Sequence, residues 1–239
     1  MSLNLTQLIG FGGGGGNQVP SYVSASTGTT TTAADTLAIN YPSGIQANDI
    51  IIAVALGEDS SGALFGDTAY LGISNFTTIA LAGVASSTGK YAAGVSWKRA
   101  SGSESGTETA TFQTLGGSRA ISGIMYLFRN CITTGNPYEN EAADDNATST
   151  TLNQKSIAST DGGRMALHIT MCQVTTTTAS FTGESGGDFT EQSSYQPATN
   201  TIQLQTASLP TTSTISGGSS TLGTTSRHTR SVFCLIGAP

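Results

Sequence analysis

The chain has 239 residues, a mass of 24.2 kDa, a net charge of −6 and a pI near 4.7. Only 10% of its residues are charged, and the 9 Lys and Arg are thinly spread, which excludes a partner held by phosphate neutralisation such as nucleic acid. Ser and Thr exceed a quarter of the chain and Gly numbers 30, a composition that suits strands and turns and disfavours helix interiors.

Residues 1–11, MSLNLTQLIGF, carry Leu3, Leu5, Leu8, Ile9 and Phe11 and run into five consecutive glycines, Gly12 to Gly16. Polyglycine is the most flexible tether a chain can have. An apolar peptide too short to bury itself, set ahead of such a joint, predicts a docking arm over residues 1–17 and a single domain over 18–239. The rival reading makes 1–11 the domain's own first strand. The segment lacks the basic n-region and continuous apolar h-region of a signal peptide, and no apolar run reaches transmembrane length, so no membrane insertion is expected.

Beyond the tether the pattern is strand, turn, strand. Predicted strands cover 19–24, 36–41, 49–56, 76–82, 91–99, 107–112, 121–130, 151–157, 165–172, 188–192, 202–207 and 231–236, separated by turn clusters such as Ser86-Ser87-Thr88-Gly89 and Asp161-Gly162-Gly163. The central run is Ile50 to Leu56, apolar at every position and preceded by a turn at Pro42, Ser43 and Gly44. Consecutive isoleucines are stiff at χ1 and favour a pleated strand, and a strand with no polar face is covered on both sides. Tyr91, Val95 and Trp97 share one face, as do Ile121, Met125 and Leu127 once one bulge is allowed. This succession predicts an all-β fold, an antiparallel β-sandwich of jelly-roll type with an extended N-terminal arm.

The residues that could carry chemistry read as structural. Cys131, Cys172 and Cys234 lie far apart in or beside apolar runs without C-x-x-C spacing, which points to buried free thiols and assembly in a reducing cytoplasm. Gly183-Glu184-Ser185-Gly186-Gly187 fits G-x-S-x-G, but that mechanism needs a histidine base and an orienting carboxylate. His168 precedes Ser185 inside an apolar strand and His228 follows it, so the pentapeptide reads as a loop. His168 itself reads as a satisfied core histidine. Glu139, Glu141, Asp144 and Asp145 form the densest acidic stretch; without D-x-D-x-D-G spacing they read as a solvated loop. Glu104 and Glu108 flank a Ser/Gly turn and would be a glycosidase pair only at the right separation. No catalytic residue, metal or cofactor is expected.

Three stretches carry a resemblance: PSGIQANDIIIAVALGED, then GVSWKRASGSESGTETATF, then SGIMYLFRNC. They are similar to β-sandwich proteins encoded among bacteriophage structural genes, found as head decorations, head fibres and tail-associated proteins. The matching features are a P-x-G-x-x-x-x-D turn (Pro42, Gly44, Asp49), a W-K/R-x-A strand end (Trp97, Lys98, Ala100) and a closing strand with a Pro-terminated tail, Ser231 to Pro239. Such chains often have Gly-Trp where Asn75-Phe76 stands here. The resemblance covers roughly residues 18–239 and implies a virion structural protein; no catalytic residue rides on its motifs.

The resemblance and the arm together imply a non-enzymatic protein of a phage-like particle, docked through Leu3, Leu5, Leu8, Ile9 and Phe11 and displaying a sandwich on the virion exterior. Its partners would be capsid or tail subunits and further copies of itself, with assembly in the host cytoplasm. The alternative is a carbohydrate- or receptor-binding adhesin module of a tail or fibre, with Tyr70, Tyr138 and Tyr195 as loop aromatics facing a host-surface glycan.

Overall fold

The computed structural model describes residues 17–30, 34–59, 70–86, 89–112, 121–153, 156–173, 181–185, 189–197, 200–215 and 219–239. No described residue is helical. The first strands are β1 (Ser21–Thr30), β2 (Thr36–Asn40), β3 (Ile50–Asp59), β4 (Tyr70–Ile73), β5 (Thr77–Ser86), β6 (Gly89–Arg99), β7 (Thr107–Phe112) and β8 (Ile121–Arg129). They are followed by β9 (Tyr138–Asn153), β10 (Ile157–Ala158), β11 (Arg164–Gln173), β12 (Phe181–Ser185), β13 (Thr190–Tyr195), β14 (Asn200–Leu209), β15 (Thr214–Ile215) and β16 (Ser219–Ile236). Every pairing between them is antiparallel.

The doubly apolar run becomes β3, in unbroken register with β6 on one side and β8 on the other. Successive side chains of a strand point to opposite faces, so β3 feeds two cores. Ile50, Ile52, Val54 and Leu56 enter one, and Ile51, Ala53 and Ala55 enter the other, all with no exposed surface. Four sheets follow from this. A five-stranded sheet, β1-β8-β3-β6-β5, lies between a three-stranded sheet, β2-β7-β4, and a larger sheet, β12-β16-β11-β14-β13, in which β9 also pairs β16.

The second core fills the space against the three-stranded sheet with Leu37, Ile39, Ile73, Ala110 and Phe112. The first core brings Met165, Leu167, Ile169, Met171, Ile202, Leu204, Phe233 and Leu235 down from the larger sheet. A third, smaller cluster lies on that sheet's far face, under Ile157 and Ile215 of the two-stranded β10-β15 sheet. The whole is all-β and antiparallel, consistent with a β-sandwich. Each fully buried aliphatic or Phe side chain contributes about 1.5–3 kcal/mol, so the first core alone is a dominant source of stability.

Differences from the sequence reading are local. Ile121, Met125 and Leu127 share a face without any bulge, because β8 runs in continuous register with β3; the irregularity lies in β1, between Tyr22 and Ser24. The stretch holding Glu139, Glu141, Asp144 and Asp145 is a strand, not a loop. Its poor strand formers are carried by pairing along β16, a tertiary effect that overrides propensity. Ser185 likewise sits in a strand, opposite Ser219. Asn75 has φ 61°, in the left-handed region that asparagine adopts more readily than most residues.

An Ile52→Asp substitution puts an unpaired carboxylate between two packed sheets. Its cost of several kcal/mol is comparable to the whole stability of a domain, about 5–15 kcal/mol, so the protein is expected to lose its cooperative melt and its soluble yield. Circular dichroism of the purified variant checks this.

Candidate functional site

The three stretches of the resemblance converge at one end of the sheets. Asp49 closes the 42–49 turn by accepting a hydrogen bond from Gln46 N at 2.8 Å. Arg129, at the end of β8, donates to the same carboxylate twice, Nε to Oδ1 at 3.0 Å and Nη2 to Oδ2 at 2.8 Å, and Nη2 also reaches Gly44 O at 2.8 Å. The Asp49 side chain is 3% exposed and that of Arg129 30%. The hydrogen bonds to Asp49 raise the Arg129 guanidinium pKa, outweighing a smaller cost of desolvation. Backbone bonds tie β6 to the same point, Asn48 N to Ala100 O at 2.9 Å and Ala100 N to Asp49 O at 2.8 Å.

Both chain ends of the described fold lie here. Gln18 N donates to Ala238 O at 2.6 Å, Ala238 N to Asn130 O at 2.8 Å and Gly237 N to Gly163 O at 2.8 Å. The tail thus crosses between segments from both halves of the chain. The approach is too close for side chains: a Cβ at Gly237 would collide with the Gln18 carbonyl, and one at Gly163, where φ is +68°, with Asn17. Arg164, 8% exposed, donates Nε to Glu139 Oε1 at 3.1 Å beside this crossing, and Thr160 Oγ1 donates to Glu139 Oε2 at 2.6 Å. Arg99 donates to the carbonyls of Ile132 and Gly135.

Glu104 and Glu108 are brought together, but around a cation. Lys98 Nζ lies 3.7 Å from an oxygen of each. It donates to Tyr41 Oη at 2.7 Å and stands 5.1 Å from the Tyr41 ring centroid. Tyr41 Oη donates to Glu108 Oε1 at 2.6 Å and Ser74 Oγ to Glu108 Oε2 at 2.7 Å. Burial pushes the Glu104 carboxyl up, but donation from Ser101 N, Ser101 Oγ and Gly102 N overcomes it and holds the pKa at about 2. Glu108 is likewise lowered: burial opposes, and Tyr41, Ser74, Asn75 and Lys98 prevail. Two carboxylates that both stay ionised neutralise a lysine; neither has the raised pKa a glycosidase proton donor needs.

The other predicted residues fall elsewhere. Residues 1–16, with Leu3, Leu5, Leu8, Ile9 and Phe11, lie outside the described residues. Tyr70, Tyr138 and Tyr195 all lie in strands rather than loops. Tyr70 pairs Phe112 in the three-stranded sheet. Tyr138 is half-buried with its ring 5.9 Å from Phe233, and Tyr195 packs against the first core. These two occupy opposite edges of the larger sheet, separated by roughly 19 Å across four strand spacings and by roughly 20 Å more along the strands. Their apolar rings went to core packing, which a tyrosine between turn residues does not reveal in sequence. All three cysteines are buried, and burial pushes the Cys131 and Cys234 thiols up to about 12. The Arg129 pin was missed, although an Asp before an apolar strand and an Arg at the end of another were its signals.

No protein-family model, curated protein or solved structure matches the chain.

An Arg129→Met substitution leaves the buried Asp49 carboxylate with only its turn donor, and should cost about 2–3 kcal/mol in denaturant unfolding. The Glu104 value lies below the ordinary 4.5, so its contribution is whole above about pH 4.5 and is lost as pH falls toward 2. Melting measured across that window should decline less steeply in Glu104→Gln than in the parent.

Proposed function

We propose that the chain is a non-enzymatic structural protein of a phage-like particle, docked by residues 1–16 and holding its sandwich on the exterior as a capsid decoration, head fibre or tail accessory. The seat of Asn17 carries this reading. Asn17, the residue that follows the glycine tether in sequence, lies against Gly163, and Gln18 against Gly237, at the end where Asp49, Arg129 and the C-terminal tail lock the two halves together. An arm leaving from this pinned end places the particle on that side. It turns outward the opposite end, where β5 passes into β6 between Ser86 and Gly89.

Within this reading the first eight strands are a jelly roll. Numbered along the chain, a jelly roll pairs 1-8-3-6 in one sheet and 2-7-4-5 in the other, an architecture used by viral capsid domains. The orders β1-β8-β3-β6 and β2-β7-β4 support it. The departure is β5, which pairs β6; only two residues separate them, and antiparallel neighbours so close in sequence pair with each other. The analogy is one of fold, and the function rests on the arm and the end it leaves from. Capsid or tail subunits are the partners, and further copies of this chain assemble alongside.

Deleting residues 1–16 tests the arm. The shortened chain keeps Asn17 and the Gln18–Ala238 bond, so it should melt within about 2 °C of the full chain, under about 1 kcal/mol for a domain of this size. It should be missing from particles purified on a density gradient. A large drop in melting temperature would make residues 1–16 part of the fold, and normal incorporation would remove their docking role.

A further inference from the structure

The far face of the larger sheet changes character along its strands. Beside β10 and β15 it is apolar, with Ala166, Ala207, Leu209, Val232 and Cys234 in one cluster. One pleat further along it turns polar: His168 stands opposite Gln205, Thr170 opposite Gln203, and Cys172 opposite Thr201. Residues directly opposite share a face and so do alternate residues, so these six lie together. His168, Thr170, Thr201, Gln203 and Gln205 are each at most 2% exposed. Hydroxyls and amides at such depth are costly unless each finds a partner.

Several do. Gln203 donates its Nε2 to the Glu191 carboxylate of β13, and Thr170 Oγ1 lies 3.4 Å from His168 Nδ1. The Gln203 carbonyl Oε1 and the Thr201 hydroxyl have no protein partner. They sit one pleat apart on β14, about 7 Å along the strand. Glu191 and Ser194, opposite Gln205 and Gln203 on the neighbouring β13, are exposed, so that edge is the side of the buried row nearest solvent.

We propose that this row binds a neutral polyhydroxyl ligand, a sugar unit, that enters from the β13 edge and meets Gln203 Oε1 and Thr201 Oγ1. The free groups select the class. An amide carbonyl only accepts, so the ligand must bring an O–H donor; the threonine hydroxyl takes a partner of either kind. Both are uncharged and the nearby carboxylate already holds the Gln203 amide, so the two vacant groups offer an anion no charge. Among the described residues no group of three His, Cys, Asp or Glu frames a cation. This site is independent of the arm, and it places sugar recognition on a sheet face rather than on Tyr70, Tyr138 and Tyr195.

The test follows the Gln203 side-chain amide by NMR in the full-length protein, titrated in turn with glucose, galactose, mannose, N-acetylglucosamine and sulfate. A saturable shift with at least one sugar and none with sulfate is expected, weakened about tenfold or more in Thr201→Val. Because that variant removes an unpartnered buried hydroxyl and keeps a β-branched shape, it should melt at or above the parent temperature. No response to any of the four sugars, a response to sulfate instead, or a sugar response that Thr201→Val leaves intact overturns the proposal. A Thr201→Val melting temperature several degrees lower also overturns it, since the hydroxyl would then be satisfied within the fold.

Discussion

The structure depends on one strand having no face to give to water. Ile50 to Leu56 are buried on both sides, so the sheet that holds them must be covered twice. The two covers come from different parts of the chain. Strands β2, β4 and β7, interleaved in sequence with those of the five-stranded sheet, cover one face locally. The other needs β11, β14 and β16, from the second half. The second core therefore forms from nearby sequence, whereas the first requires both halves, and contacts this distant in sequence make folding slow and cooperative.

Charge is scarce in this chain, and where it is found it fastens segments to one another. Asp49 with Arg129 and Glu139 with Arg164 join parts far apart in sequence. Glu104 and Glu108 with Lys98 close the connection between β6 and β7, with Glu108 also held by Tyr41 and Ser74. Exposed ion pairs contribute little, but these carboxylates are largely withdrawn from solvent and hydrogen-bonded to backbone or hydroxyl groups as well. All lie toward the end where Gln18 and Ala238 meet. The sheets are held along their length by apolar packing and at that end by polar bonds, which makes it the stiff end of the molecule.

The fold class was legible because the signals were local: β-branched runs, alternation and turn residues placed most strands of the first half to within a few residues. What the sequence hid was pairing. Nothing in Glu139, Asp144 or Asp145 favours a strand, and only β16 makes β9 one. The tyrosines were placed in loops because a loop and an edge strand look alike between turn residues. The polar row on β11 and β14 was also invisible in sequence. His168 and Thr170 sit in a strand that reads as an apolar run, Thr201, Gln203 and Gln205 alternate with apolar residues and read as a solvent face, and their shared burial depends on a register that only the folded sheet defines.

Scarce charge creates a second problem, at the sheet edges. An edge strand offers unpaired amides to other chains, and lysine, a common guard, is rare here. The outer edge of β1 is shielded instead by side chains of neutral residues. Ser24 Oγ donates to Ser43 O at 3.0 Å, Asn40 Nδ2 to Thr27 O at 2.8 Å, and Ser26 Oγ to Asn40 O. These bonds lay β2 and the turn before β3 against the edge, so the same turn that Asp49 closes also covers an exposed ladder. β13, at the edge of the larger sheet, is short and broken by an irregularity between Glu191 and Ser193. Short, bulged edges resist further pairing. Here hydroxyls, asparagine and a bulge provide what charge provides elsewhere.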